Sequence, residues 1–141
     1  MRRLTLFLLL CAFSFVVKAQ DHFDARRFEA NLEAYISKEA HLSEAEAGKL
    51  FPLYRQMQSQ KRNLHNQLHQ IRKMKPSSDK EAEKLVAKCD NIEIEIRQIE
   101  KQYHLKMQKV VNARKLYDVI QAERRFHRMA LKKQTNKQTK R

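Results

Sequence analysis

Along the middle of the chain, hydrophobic residues recur at alternating steps of four and three. Leu50, Tyr54, Met57, Leu64, Leu68 and Ile71 make one such stripe, with Lys61 at the position where an apolar residue is missing. Leu85, Cys89, Ile92, Ile96, Ile99, Tyr103 and Val110 make a second. This spacing puts each set on one face of a helix. Shorter patterns flank them. Phe28, Leu32, Tyr35 and Ile36 predict a first helix from Asp21 to about Lys38, and Val119, Ile120, Phe126, Met129 and Ala130 predict a fourth. Only "IEIEI" at Ile92 to Ile96 alternates with period two, and it lies inside a longer helical pattern. The expected fold is all-α: a long antiparallel helical hairpin with shorter flanking N- and C-terminal helices.

The helix starts carry capping chemistry. Ser43 is placed to cap helix two, Glu46 can reach back to its amide, and Leu42 precedes it, which is the capping-box pattern. Ser78 with Glu81 repeats the pattern at helix three, and Asp118 with Gln121, after Tyr117, repeats it at helix four. Pro52 falls inside helix two, where its ring opposes the carbonyl of Gly48, so a kink is expected there before the helix runs on to about Met74. "KPSSD" at Lys75 to Asp79 is the strong turn signal. Folding the chain there in one register sets Tyr54 against Ile99, Lys61 against Ile92, Leu64 against Cys89 and Leu68 against Leu85. Each arm of such a hairpin is about 45–55 Å long. It is also thin, and a two-fold dimer is the commonest way to cover its apolar faces.

The N-terminus changes where the chain is expected to work. Arg2 and Arg3 precede an apolar run from Leu4 to Val17, and Val17-Lys18-Ala19 ends in a small residue. The run is short for a bilayer span and has the flanks of a secretory signal peptide, with cleavage expected after Ala19. A lipid anchor at Cys11 is the rival reading, but Leu10 stands where a lipobox needs a small residue. Residues 20–131 then form one helical domain, and residues 132–141 a basic tail without hydrophobes, expected to be disordered. Removal of the signal leaves Cys89 as the single cysteine, read as a core residue, with an intermolecular disulfide as the sharper alternative.

The charge is uneven. The net charge is +14. Residues 47–78 hold seven bases and no acid, whereas residues 79–100 hold seven acids and four bases, so the two arms of the hairpin can neutralise each other. Residues 101–141 hold thirteen bases and two acids. The excess therefore sits on the end of helix three, helix four and the tail. Arg124, Arg125, Phe126, Arg128 and Met129 form its densest basic and apolar cluster, the candidate surface for acidic partners. An exported protein is not expected to meet nucleic acid, and contact with a membrane surface is open to so basic a chain.

Catalytic signatures are missing: there is no Gly-rich phosphate loop, GxSxG, HExxH or CxxC, and neither an enzyme nor a cofactor is implied. His65 and His69 are the one i, i+4 histidine pair. Two ligands fall short of a structural zinc site, so a dimer or a further ligand would have to complete it.

Two helix starts carry a family resemblance. Leu42-Ser43-Glu44-Ala45-Glu46 stands where an LTxxQ motif would, with Ser for Thr and Glu for Gln. Tyr117-Asp118-Val119-Ile120-Gln121 looks like a second copy, with Tyr for Leu and Asp for Thr. The chain thus resembles the Spy/CpxP-like periplasmic proteins over roughly residues 24 to 132. The resemblance implies a helical protein of the Gram-negative envelope that forms a cradle-shaped antiparallel homodimer. It further implies an ATP-independent chaperone of envelope stress that holds unfolded or misfolded envelope proteins. Related members serve instead as regulatory or metal-responsive sensors of one envelope partner, and that role is the alternative. A coiled-coil chaperone of the Skp kind would need a β-rich core segment that this sequence lacks.

Overall fold

The computed structural model describes residues 24–139. The expected signal segment and its expected cleavage site lie outside them. The described chain is all-helical: α1 (Ala25–Glu39), α2 (Glu44–Lys73), α3 (Asp79–Met107) and α4 (Ala113–Thr139), with no strand among the described residues. No described helix is long and apolar enough to cross a membrane.

Each helix begins where a short polar side chain takes up orphan amides. Asp24 Oδ1 accepts from the amides of Arg26 and Arg27 at 3.1 and 3.2 Å, so α1 starts at Ala25. Ser43 and Glu46 form the full capping box expected of them: the Glu46 amide donates to Ser43 Oγ at 3.2 Å, and the Ser43 amide donates to Glu46 Oε2 at 2.8 Å. At α3 the box is displaced. Ser78 Oγ accepts from the Glu81 amide at 3.3 Å, but the Glu81 carboxylate takes the amide and hydroxyl of Ser77, both at 2.7 Å.

The start of α4 is a correction. Asn112 Oδ1 accepts from the Lys115 amide at 2.8 Å, so the helix begins before Asp118. Leu116 and Val119 are both core residues, and one face of a helix can bury both only if the helix is already running at 116. Tyr117, Asp118 and Gln121 are therefore interior to α4, where Asp118 stands 3.9 Å from Arg114 one turn back. The C-terminus is a second correction. The tail expected to be disordered is helical through Thr139, being rich in Lys and Gln, which are good helix formers. Leu131 through Asn136 are all exposed.

Between α1 and α2 the chain turns through a Schellman motif. The His41 amide donates to the Lys38 carbonyl, and the Leu42 amide donates to that of Ser37. The turn places His41 at φ 49°, a left-handed conformation in which glycine is the usual residue. α2 then runs as one helix on both sides of Pro52.

The core has two parts. The larger joins all four helices: Leu32 and Ile36 of α1, Leu50, Phe51, Tyr54 and Met57 of α2, Tyr103 and Met107 of α3, and Leu116, Val119 and Ala122 of α4. The smaller joins Leu64, Leu68 and Ile71 to Ile92 and Ile96, between α2 and α3 alone. Lys61 lies between them. Its Nζ reaches Glu100 Oε1 at 2.6 Å, with Lys61 14% and Glu100 19% exposed.

Low numbers in α2 meet high numbers in α3, but not in the register expected. Lys61 reaches Glu100 instead of Ile92, and Gln60 Nε2 donates to the Tyr103 hydroxyl at 2.9 Å. The buried residues fit pairs one heptad farther along α3: Met57 with Tyr103, Leu64 with Ile96, Leu68 with Ile92. A stripe that repeats every seven residues matches its neighbour equally well after a slip of seven. The linker decides between them, and here Met74 is extended (φ −70°, ψ 140°), which is looser than a tight turn.

Candidate functional site

A cleft of about 430 Å³ opens between α2, α3 and α4. Met57 and Lys61 line it from α2, Arg97, Glu100 and His104 from α3, and Ile120, Glu123, Arg124, His127 and Arg128 from α4. Met57 and Ile120 make its apolar part. Glu100 accepts from Lys61 at 2.6 Å and from Arg97 Nη1 at 2.7 Å. Burial by itself raises the Glu100 carboxyl, but the bonds from Lys61 and Arg97 outweigh it and hold the group below the usual carboxylate range. Glu123 accepts from Gln58 Nε2 at 2.7 Å and stands 3.8 Å from His127 Nε2. Burial pushes His104 below its ordinary value, although the charges of Glu100 and Glu123 pull the other way.

The two acids of the cleft are thus already engaged, while Arg124 and Arg128 make no ion pair among the described residues. Both are exposed, one turn apart on α4. A second cavity of about 340 Å³ shares Lys61, Arg97 and Glu100 with the cleft and adds His65, Arg72 and Glu93. Together they line the same side of α2 and α3 with cations.

The five residues singled out in the basic segment part company. Arg124 and Arg128 line the cleft. Arg125 turns to α1, with Nη2 3.0 Å from Glu39 Oε2. Phe126 also turns to α1, its ring edge-on to Phe28 at 5.3 Å and tilted to Tyr35 at 5.6 Å. Phe126 therefore docks α1 onto α4 and is not free to hold a partner. Met129 is exposed but does not line the cleft. His65 and His69 are exposed on α2, and the described residues hold no group of three or more metal-binding side chains.

Sequence reasoning missed Lys61, Arg97, Glu100 and His104 as parts of one site. Lys61 carried a signal, since it breaks an apolar stripe. A second role of Glu46 was also missed. Besides capping α2, its carboxylate accepts from Lys115 Nζ at 2.6 and 2.9 Å, tying the start of α4 to the start of α2. That bond, followed by the Ser43 amide, holds Glu46 below the usual carboxylate range.

No family model, no curated protein and no solved structure matches this chain. The likeness to the Spy/CpxP-like proteins rests on the motif residues alone, and of its two copies only Leu42–Glu46 begins a helix.

Proposed function

We propose that this chain is a periplasmic, ATP-independent holdase that keeps unfolded or misfolded envelope proteins from aggregating. It works as an antiparallel, cradle-like homodimer and binds acidic client segments in the cleft between α2, α3 and α4. One observation supports this most: Arg124 and Arg128 stand without ion pairs beside the half-buried, apolar Ile120. Unpaired guanidinium groups attract carboxylates at long range, and apolar side chains beside them retain a chain that has exposed its own hydrophobes. The export signal, the shortage of catalytic groups and the motif at Leu42–Glu46 point the same way.

The test is suppression of aggregation of an unrelated unfolding protein, without ATP, at equimolar ratio. Suppression should fade with rising salt, because screening shortens the reach of exposed charges to about 10 Å at 0.1 M. Arg124→Glu with Arg128→Glu should abolish most of it. Lys132→Glu with Lys133→Glu, an equal charge change outside the cleft, should leave most of it. No suppression by the folded protein at any salt would overturn the reading in favour of a sensor of one envelope partner. Equal loss in both variants would show that charge acts without the cleft.

A further inference from the structure

Among the described residues, one buried side-chain polar atom goes without a hydrogen bond: the hydroxyl of Tyr54, a residue 2% exposed. Buried polar groups in native folds are nearly always paired, so an orphan points to a missing partner. Burial, and after it the charge of Glu123, hold this hydroxyl above its ordinary value, so it stays a proton donor. Glu123 itself accepts from Gln58 Nε2 at 2.7 Å. Tyr54 lines a cavity of about 400 Å³ between α1, α2 and α4, which shares only His127 with the cleft described above.

Phe28 and Leu32 of α1 and Tyr54 of α2 give this cavity its aromatic and aliphatic surface. Its cations gather at one end. In the register that the bond between Glu33 and Arg55 sets for α1 and α2, Arg26 falls opposite Arg62, each seven residues from that bond. Both arginines line the cavity, both are exposed, and neither makes an ion pair among the described residues. Glu29 is the one acid of the lining, and it stands in the field of Arg55. Arg62 follows Tyr54 by two turns of α2, about 12 Å along the axis at 1.5 Å per residue.

We infer that this cavity binds a small aromatic acid with an uncharged oxygen at the end of the ring far from its carboxylate. The oxygen accepts from the Tyr54 hydroxyl, the ring lies against Phe28 and Leu32, and the carboxylate meets Arg26 and Arg62. Charge sets the direction. Near Glu123 a carboxylate would be repelled, so the group at Tyr54 is neutral. Two guanidinium groups across from each other favour an anion at the other end. A plain apolar acid would leave the Tyr54 hydroxyl unpaired, and an amine would be repelled by the arginines. The volume lies in the range of small-molecule sites. The site does not depend on what the cleft between α2, α3 and α4 binds.

The experiment compares three probes on the folded protein: 3-(4-hydroxyphenyl)propionate, 3-phenylpropionate, which lacks the oxygen, and tyramine, which replaces the acid by an amine. Calorimetric titration gives the affinity, and amide chemical shifts give the place. The hydroxylated acid should bind with a Kd below about 1 mM, within reach of a ligand of this size, and should shift the amides of Phe28, Leu32 and Tyr54. The other two should bind at least about fivefold more weakly, because each leaves one end of the site unmatched.

Variants separate the two ends. In Tyr54→Phe the two acids should bind within about twofold of each other, while the melting temperature holds or rises, because an unpaired buried hydroxyl is removed. Arg26→Gln with Arg62→Gln should weaken the hydroxylated acid at least about fivefold and leave the fold intact, since both side chains are exposed. No binding of the hydroxylated acid at about 10 mM, a concentration that would half-fill even a very weak site, would overturn the inference. So would equal affinity of the two acids for the unaltered protein, since Tyr54 would then take no part. A lower melting temperature in Tyr54→Phe would overturn it as well, because the hydroxyl would already have its partner in the fold. Binding that Arg124→Glu with Arg128→Glu abolishes would place the acid in the cleft instead, and would overturn it too.

Discussion

Replacing Glu100 by glutamine keeps the shape of the side chain and removes the charge on which two cations converge. The cost follows from how exposed each partner is. Arg97 is 80% exposed, so its bond counts as a surface pair, about 0.2–1 kcal/mol. Lys61 and Glu100 are 14% and 19% exposed, so theirs counts as a charge-assisted hydrogen bond, about 1.5–3 kcal/mol. Glu100→Gln should therefore lower the unfolding free energy at neutral pH by roughly 2–4 kcal/mol.

The pH dependence carries a sign. The folded carboxyl is held below its ordinary value. Its contribution is present above the unfolded carboxylate range, near pH 4.3. It is lost as the pH falls through the lower folded value. Urea denaturation followed by circular dichroism at several pH values between 7 and 3 should show the wild-type and variant curves converging at the acid end.

The double variant Lys61→Met with Glu100→Leu should recover most of the loss. An apolar pair at this place would join the two core clusters that the ion pair separates, and such replacements are often neutral or stabilising. A cost below about 0.5 kcal/mol at neutral pH, within the range of a plain surface site, would refute the reasoning. A cost that stays the same at pH 3 would refute it too.

Other substitutions test other steps. His41→Gly relieves a left-handed residue at φ 49° and should stabilise by up to about 1 kcal/mol in the same denaturation assay. Gly48→Ala should also stabilise, by about 0.5–1 kcal/mol, because an added Cβ meets nothing within 4 Å and the site is inside a helix. Ser43→Ala removes the hydroxyl half of the capping box and should cost about 0.5–2 kcal/mol. Phe126→Ala should cost roughly 2–3 kcal/mol and loosen α1, seen as faster amide exchange in Ala25–Glu39, since the ring packs on Phe28 and Tyr35. If Phe126→Ala instead keeps full stability and loses only client binding, the docking role given to that ring is wrong.

The stripes made the helices legible, and the capping box at Ser43 made one boundary legible to the residue. Two features could not be read the same way. The hairpin register was ambiguous because a stripe with a seven-residue repeat scores Leu64 against Cys89 as well as Leu64 against Ile96. Only the length and conformation of the linker distinguish them, and a proline-serine turn does not announce either. The start of α4 was misplaced because Asp118 with Gln121 has the composition of a cap. Composition does not reveal whether the turn before it is already helical. Asn112 was the better signal, since Leu116 and Val119 require one helical face.

The basic segment shows what a sequence hides about a site. Five residues in a row-like cluster looked like one surface, yet a helix sends neighbours in sequence to different sides. Residues 124 and 128 share one side because four positions make about one turn, whereas 125 and 126 are each rotated farther round the helix, to where α1 packs. Charge density along the chain therefore overstated the free surface. Arg125 is spent on Glu39, and Phe126 on holding α1. What remains for a partner is the pair that the helix turns toward α2 and α3, and its value depends on Glu100 already holding Lys61 and Arg97. If Glu100 were lost, those two cations would join Arg124 and Arg128 as unpaired charges in the cleft. Glu100→Gln should then tighten the binding of acidic peptides while it weakens the fold. A cleft that bound anions only through general surface charge would gain no more from Glu100→Gln than from Glu95→Gln, an equal change at an exposed site on the same helix.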